Sequence, residues 1–333
     1  MRLLPIVSLW VAVLIFAGPA RAHHGTAALG VAGPEGPGAG LETTSPLPLS
    51  VDGVYVFAKS EYVPFERYSF AAPENKVASA YNLLGFGYGL APWLSVWAIQ
   101  PYSVKEADGI GTSSGLGDTQ LLLAAAFKWD EGFRLVPERE SLDELYDWHF
   151  SLWLASTLPV GPTEERGRGR VFFAPDMQTG FGQPSPSAGD AAAKQVGEDF
   201  TWLADASYQH FFAHEYSYAT YRFGGETRLN TALAWRAVAA DLFRLDVVGE
   251  LNGLHLQRDR EESEDGAMKS LTASGGAILY AGGGVRLTYG SFVAALGLRR
   301  AAFTRLNEAD EQQGSEGKET LRASLSLGYS GLW

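Results

Sequence analysis

The chain has 333 residues, 46% of them hydrophobic and 12% aromatic, with 39 Gly, no Cys and a net charge of −12. That length suits one large all-β domain or two ordinary ones, and the acidic balance excludes a nucleic-acid footprint, which needs a basic patch. The missing cysteines exclude disulfide frameworks, thiolate metal sites and cysteine nucleophiles.

Met1 to Ala22 reads as a secretory signal peptide. Arg2 supplies the positive start, Leu3 to Phe16 the apolar run, and Ala20-Arg21-Ala22 a small-x-small cleavage site. The run is shorter than the ~20 apolar residues of a spanning helix, and no later segment reaches that length. Cleavage after Ala22 would remove two arginines and no acids, taking the net charge from −12 to −14. Residues 23–48, with Gly33-Pro34-Glu35-Gly36-Pro37-Gly38 at their centre, have the composition of a Gly/Pro-rich linker on the periplasmic side. His23 would become the new N-terminus beside His24. An amine with two imidazoles can bind Cu or Zn, but a solvated tail is the plainer reading, and no metal or cofactor is assigned.

Strand-like runs follow at 50–58, 76–89, 93–103, 117–129, 147–158, 200–212, 215–223, 226–238, 241–256, 275–288, 291–303 and 320–333, about 12 in all. The clearest pair spans Glu226 to Asn252. Thr227, Leu229, Thr231, Leu233 and Trp235 alternate with Glu226, Arg228, Asn230 and Arg236. After a turn, Phe243, Leu245, Val247 and Leu251 alternate with Arg244, Asp246, Glu250 and Asn252. A period of two with full charges on one face and grease on the other fits lipid outside and a wet lumen inside. The predicted fold class is therefore all-β, an antiparallel up-and-down transmembrane β-barrel over 49–333 in a bacterial outer membrane.

Loop lengths support this. Turns at 89–92, 213–215, 238–241 and 289–291 are short and fall on the predicted periplasmic side. Connections at 59–75, 104–116, 159–199, 257–274 and 304–319 are long and external. Two connections break the pattern: 130–146 is long yet periplasmic, with a small helix expected around Glu138–Leu145, and Gly224-Gly225 is short yet external. The final residue, Trp333, is similar to the aromatic end of barrels read by the outer-membrane assembly machinery.

Three stretches recur in order: Gly87-Tyr88-Gly89-Leu90 leading to Gln100-Pro101-Tyr102, then Ser114-Gly115-Leu116-Gly117-Asp118, then Ser156-Thr157-Leu158-Pro159-Val160-Gly161-Pro162-Thr163. Together they resemble outer-membrane transporters grouped with the meta-pathway of phenol degradation, over roughly residues 80–330. The Pro-Val-Gly-Pro-Thr run departs from that family's more frequent Pro-Thr-Gly. The resemblance implies a barrel tied to uptake of aromatic or hydrophobic compounds and carries over no catalytic residue. Physically, Gly115 and Gly117 let a loop turn into a strand, and Pro101 and Pro159 suit strand ends.

The candidate transport residues are those expected on lumen-facing positions: Arg228, Arg236, Arg244, Arg286, Arg299 and Arg322, with Glu226, Asp246, Glu250, Asp205 and Asp118. They would line an aqueous path favouring anionic solutes, or else form an internal ion-pair network that fills a small barrel. His149 and Ser151 share a face, as a hydrolase pair would, but that face is opposite Trp148, Phe150 and Leu152 and so points away from lipid. His210 and His214 flank a predicted periplasmic turn. Loops 257–274 and 304–319 are acidic, which suits cation bridges to lipopolysaccharide or a merely solvated surface. The expectation is a non-enzymatic passive transporter for small solutes. An Arg-lined porin, a lipid hydrolase and a structural or adhesive barrel are the alternatives. Its expected partners are membrane lipid, lipopolysaccharide, the assembly machinery and the solute.

Overall fold

A computed structural model describes residues 39–66, 76–136, 146–307 and 319–332. The signal peptide, His23, His24, the first part of the linker, the helix expected near 138–145, most of the acidic loop after 307 and Trp333 lie outside them.

Twelve strands form one antiparallel sheet that closes on itself: β1 (Gly53–Pro64), β2 (Lys76–Ala91), β3 (Leu94–Ala107), β4 (Thr119–Trp129), β5 (Trp148–Leu158), β6 (Pro186–Val196), β7 (Phe200–Gln209), β8 (Glu226–Ala239), β9 (Phe243–Leu256), β10 (Gly276–Tyr289), β11 (Phe292–Leu306) and β12 (Arg322–Leu332). Each strand pairs with its sequence neighbours. Closure comes from β1 against β12, with Gly53 opposite Leu332 and Tyr62 opposite Ala323. Closure removes the sheet edges, so every mid-wall amide has a partner without water.

The count of twelve holds, but one member differs from expectation. The run at 215–223 is not a barrel strand. It is a short rim hairpin, His214–Tyr216 with Ala219–Arg222, which joins Arg260–Glu262 and Met268–Ser270 in a separate four-stranded sheet. The strand in its place is β6, inside the expected 159–199 loop. Its outward residues are Pro186, Ala188, Asp190, Ala192, Lys194 and Val196. Two charges and two alanines on the lipid side give no apolar alternation to detect. The replacement also repairs the parity, because the connection after β7 now runs from 210 to 225 and reaches the same rim as the other long loops. His210 and His214 therefore lie on the rim opposite the predicted turn.

The outward face is a belt of exposed Leu, Val and aromatic side chains, including Leu84, Leu121, Leu154, Leu229, Leu233, Val247, Leu251 and Leu298. A few polar groups interrupt it and pair with one another: Ser60 donates to Asn82 (2.7 Å) and Thr119 to Gln100 (2.6 Å). Arg300 also points outward, in the part of β11 near Phe303. Leu233 sits half-way along β8 and is 45% exposed, whereas Leu242 lies in the turn after β8. Leu233→Arg should therefore cost about 2–4 kcal/mol and Leu242→Arg about 0–1, read by urea unfolding in lipid vesicles. Equal costs would mean that β8 does not face acyl chains.

Pro101 is not at a strand end; it lies inside β3. The strand beside it explains why this is tolerated. Gly111–Leu116 pairs with the far half of β3, the backbone breaks at 117–118, and β4 resumes the pairing. The Pro101 carbonyl accepts from Gly117 N (2.9 Å), so the proline nitrogen points to the same break. There the Gln100 side-chain amide donates to the Gly117 carbonyl (2.9 Å), supplying the donor that proline lacks. Gln100-Pro101 with Gly117 is thus a structural unit. Pro159 does follow the end of β5.

Candidate functional site: an occupied lumen

The inward positions of the barrel carry charged and aromatic residues among smaller apolar ones, and the chain's own N-terminal segment runs between them. The sequence places residues 39–48 in a periplasmic linker. From Ala39 onward they lie in the lumen, with Ala39, Glu42, Thr43, Thr44 and Ser45 buried. The segment has no secondary structure of its own, so its amides need partners from the wall. Glu250 accepts from Leu41 N (2.7 Å), Glu42 N (3.1 Å) and Thr43 N (3.3 Å). Asp205 accepts from Thr44 N (2.7 Å) and Ser95 Oγ from Leu49 N (2.8 Å). Arg286 donates to the Gly40 carbonyl. A Cβ on Gly40 would sit 2.7 Å from a Glu250 carboxylate oxygen, so this position requires glycine.

The lumen has two unlike walls. On β1–β5, Tyr55, Phe57, Leu83, Trp97, Leu122 and Trp153 form an apolar cluster that takes in Leu49. A Cβ on Gly85 would overlap the Phe57 ring, so the glycine lets that ring lie flat across β2. On β8–β12 and the far part of β1 ionic side chains line the interior, beside a small apolar patch of Ala232, Ala234 and Val248. Lys59 bonds Glu42 (2.8 Å) and Glu61 (3.0 Å), Arg322 bonds Glu61 (2.9 Å) and Glu319, and Arg299 lies 3.4 Å from Glu42 and 3.5 Å from Glu61. The segment matches both walls. Glu42 meets the cations, and Pro46-Leu47-Pro48 lie against Trp97, Leu122 and Trp153, leaving a cavity of only about 20 Å³ between them.

The opposite mouth is also covered by the chain. The loop 159–181 folds over it: Lys105 donates to the carbonyls of Asp176 (3.0 Å) and Gln178 (2.6 Å), Lys76 pairs with Asp176 (2.8 Å), and Ser113 donates to Glu165 (2.8 Å). Hydrogen bonds from the Ser217 hydroxyl and amide hold the Glu164 carboxyl below its ordinary range and tie this loop to the rim hairpin.

Placed on this geometry, the eleven predicted residues divide by task. Glu250, Asp205 and Arg286 hold the N-terminal segment. Arg299 and Arg322 belong to the ionic cluster beside it. Arg244 pairs with Asp246 (2.7 Å) and Arg228 with Glu226 (2.7 Å) along the inward wall, and Arg236 is half-buried on the same side of β8. Asp118 lies elsewhere: it accepts from Gly161 N (2.8 Å) and Phe181 N (2.7 Å) and fastens the covering loop. His149 and Ser151 are buried on the inward face. Lys59, Glu61, Glu319 and Glu42 were missed. The predicted first strand stopped at 58, and Tyr55-Phe57-Lys59-Glu61 mixes aromatic and charged residues on one face.

No protein-family profile matches the sequence, and no curated protein is a significant relative of it. Among solved structures, the chain is similar to the COG4313 outer membrane channel from Pseudomonas putida F1, at TM-score 0.58 and 12% identity over 86% of this chain and 98% of that one. The likeness is one of fold. Two further similarities are looser: the β domain of the Bordetella autotransporter BrkA (TM-score 0.41, 13% identity, 84% of this chain and 99% of that one) and the NanC porin (0.43, 8%, 82% and 98%).

Proposed function

We propose that this chain is an outer-membrane β-barrel for passive passage of small solutes, held closed here by its own residues 39–49. The observation that carries the reading is the inside-out polarity of a closed barrel whose lumen holds a non-covalently bound segment. An apolar belt belongs in acyl chains, and an ionic interior with a non-covalent occupant has no use in a merely structural wall. The fold shared with the COG4313 outer membrane channel supports the same reading. The start of β1 and the end of β12 meet on the rim of short turns, the rim that faces the periplasm in this reading.

Aromatic or hydrophobic compounds are the first candidates for the solute. The resemblance to the phenol meta-pathway transporters points there, and so does the aromatic wall of Tyr55, Phe57, Trp97 and Trp153. A general Arg-lined porin fits less well, because the lumen is occupied by residues 39–49 and the loop 159–181 covers one mouth.

The test is swelling of proteoliposomes with a panel of sugars, amino acids and small aromatic solutes, with planar-bilayer recordings alongside. The expected result is slow swelling with sugars, faster swelling with aromatics and little ion current. Sugars entering as fast as aromatics, with large steady ion steps, would replace the reading by an open porin. No entry of any solute would remove transport altogether.

A further inference from the structure

We infer that the lumen contains a binding site for an amphiphilic carboxylate, and that residues 42–49 occupy it as an internal mimic. This rests on the transport reading above and narrows its solute class. The wall cluster of Lys59, Arg299 and Arg322 faces only Glu61 and Glu319, which leaves one positive charge in excess. Glu42 supplies the missing negative charge from the lumen segment rather than from the barrel wall. On the neighbouring wall Arg244 pairs with Asp246, and Glu250 and Asp205 accept the segment's backbone amides, so the unmatched cation belongs to the first cluster.

Two features mark the cation pair as a recognition site and not just a filled interior. Arg299 meets its two carboxylates at 3.4 and 3.5 Å, longer than the 2.7–2.9 Å of a charge-assisted bond, and its Nε has no acceptor. Asn252, only 4% exposed, aims an amide with neither atom bonded into the same cavity. A buried amide left bare is costly unless a guest meets it. The cavity bordered by Glu42, Asn252, Arg299 and Arg322 holds about 10 Å³, room for one water, so a guest carboxylate must displace Glu42 to enter.

The rest of the segment fixes the other half of the ligand. A few residues after Glu42, Pro46-Leu47-Pro48 share a small cavity with Trp97 and Trp153. A molecule with a carboxylate at one end and an aromatic or alkyl body at the other would reproduce both contacts.

The test uses 4-phenylbutanoate and its uncharged counterpart 4-phenylbutanol, titrated calorimetrically into the full-length protein in micelles. A tethered competitor acts at an effective concentration of roughly millimolar. Glu42→Gln should therefore tighten 4-phenylbutanoate binding by about tenfold or more and leave 4-phenylbutanol unchanged. Arg299→Gln should abolish the preference for the acid, with heat-modified electrophoretic mobility confirming a folded barrel. Equal tightening for acid and alcohol, or none for either, would overturn the inference, since Glu42→Gln would then only loosen the segment. Flux into proteoliposomes separates the two readings. Selective binding without flux removes transport and keeps the site. Flux without selectivity keeps transport and removes the site.

Discussion

Glu250→Ala is expected to open the barrel. Its carboxylate accepts hydrogen bonds from the backbone amides of Leu41, Glu42 and Thr43, all in the lumen segment. Charge-assisted bonds contribute about 1.5–3 kcal/mol each, so losing the set should weaken docking by about 3 kcal/mol or more once water takes over the freed amides. That shifts the ratio of occupied to vacated lumen by about a hundredfold. Asp205→Ala removes one amide contact, from Thr44, and should shift it by about tenfold or less. The measurements are ion current in planar bilayers and protease cleavage within 39–49. Both should rise in the order wild type, Asp205→Ala, Glu250→Ala. Faster cleavage without more current would mean that the loop 159–181 closes the opposite mouth by itself. No change in either would mean that the segment is held by its apolar contacts, Leu41 and Leu47 against Leu203 and Val248.

How far the sequence announces this architecture depends on which face carries the signal. β8 and β9 are legible because lipid selects their outward residues and water their inward ones, so the period of two is sharp. β6 is illegible: Ala188, Asp190 and Ala192 face outward, and only the hydrogen-bond ladders with β5 and β7 reveal it as wall. The rim hairpin misleads for the opposite reason. Phe211, Tyr216, Tyr221 and Phe223 pack with Phe181 under the rim sheet and supply alternation without spanning anything. Of the site, the inward arginines and acids follow from strand parity alone. The lumen segment does not, since Leu41 to Leu49 has no periodicity and several of its partners sit more than 150 residues away, as in Thr44 with Asp205 and Glu42 with Glu250. Composition reads a linker there. Only the unpaired acids of the wall hint that something must supply donors.

Arg322→Ala is expected to give the largest loss of stability, because this residue clamps the seam where the last strand meets the first. Its guanidinium reaches across from β12 to Glu61 on β1 (2.9 Å) and also holds Glu319 at the start of β12. Glu61 has no side-chain exposure, and Arg299 stands directly opposite Arg322 in the β11–β12 ladder. Two arginines side by side repel unless an acid lies between them, and Glu61 does. Removing one partner from a buried ionic set leaves the others desolvated and unpaired, at about 3–5 kcal/mol. Urea unfolding in lipid vesicles should show that loss. Arg322→Lys should recover only part of it, because one ammonium cannot span two carboxylates as a guanidinium does. The double variant Arg322→Met with Glu319→Gln should be milder than Arg322→Ala alone, since it removes charge and countercharge together. If the double variant were instead the more damaging, the ion pairs themselves would supply net stability at the seam, and the clamp would be an energetic device rather than a matching of charges already committed to the lumen.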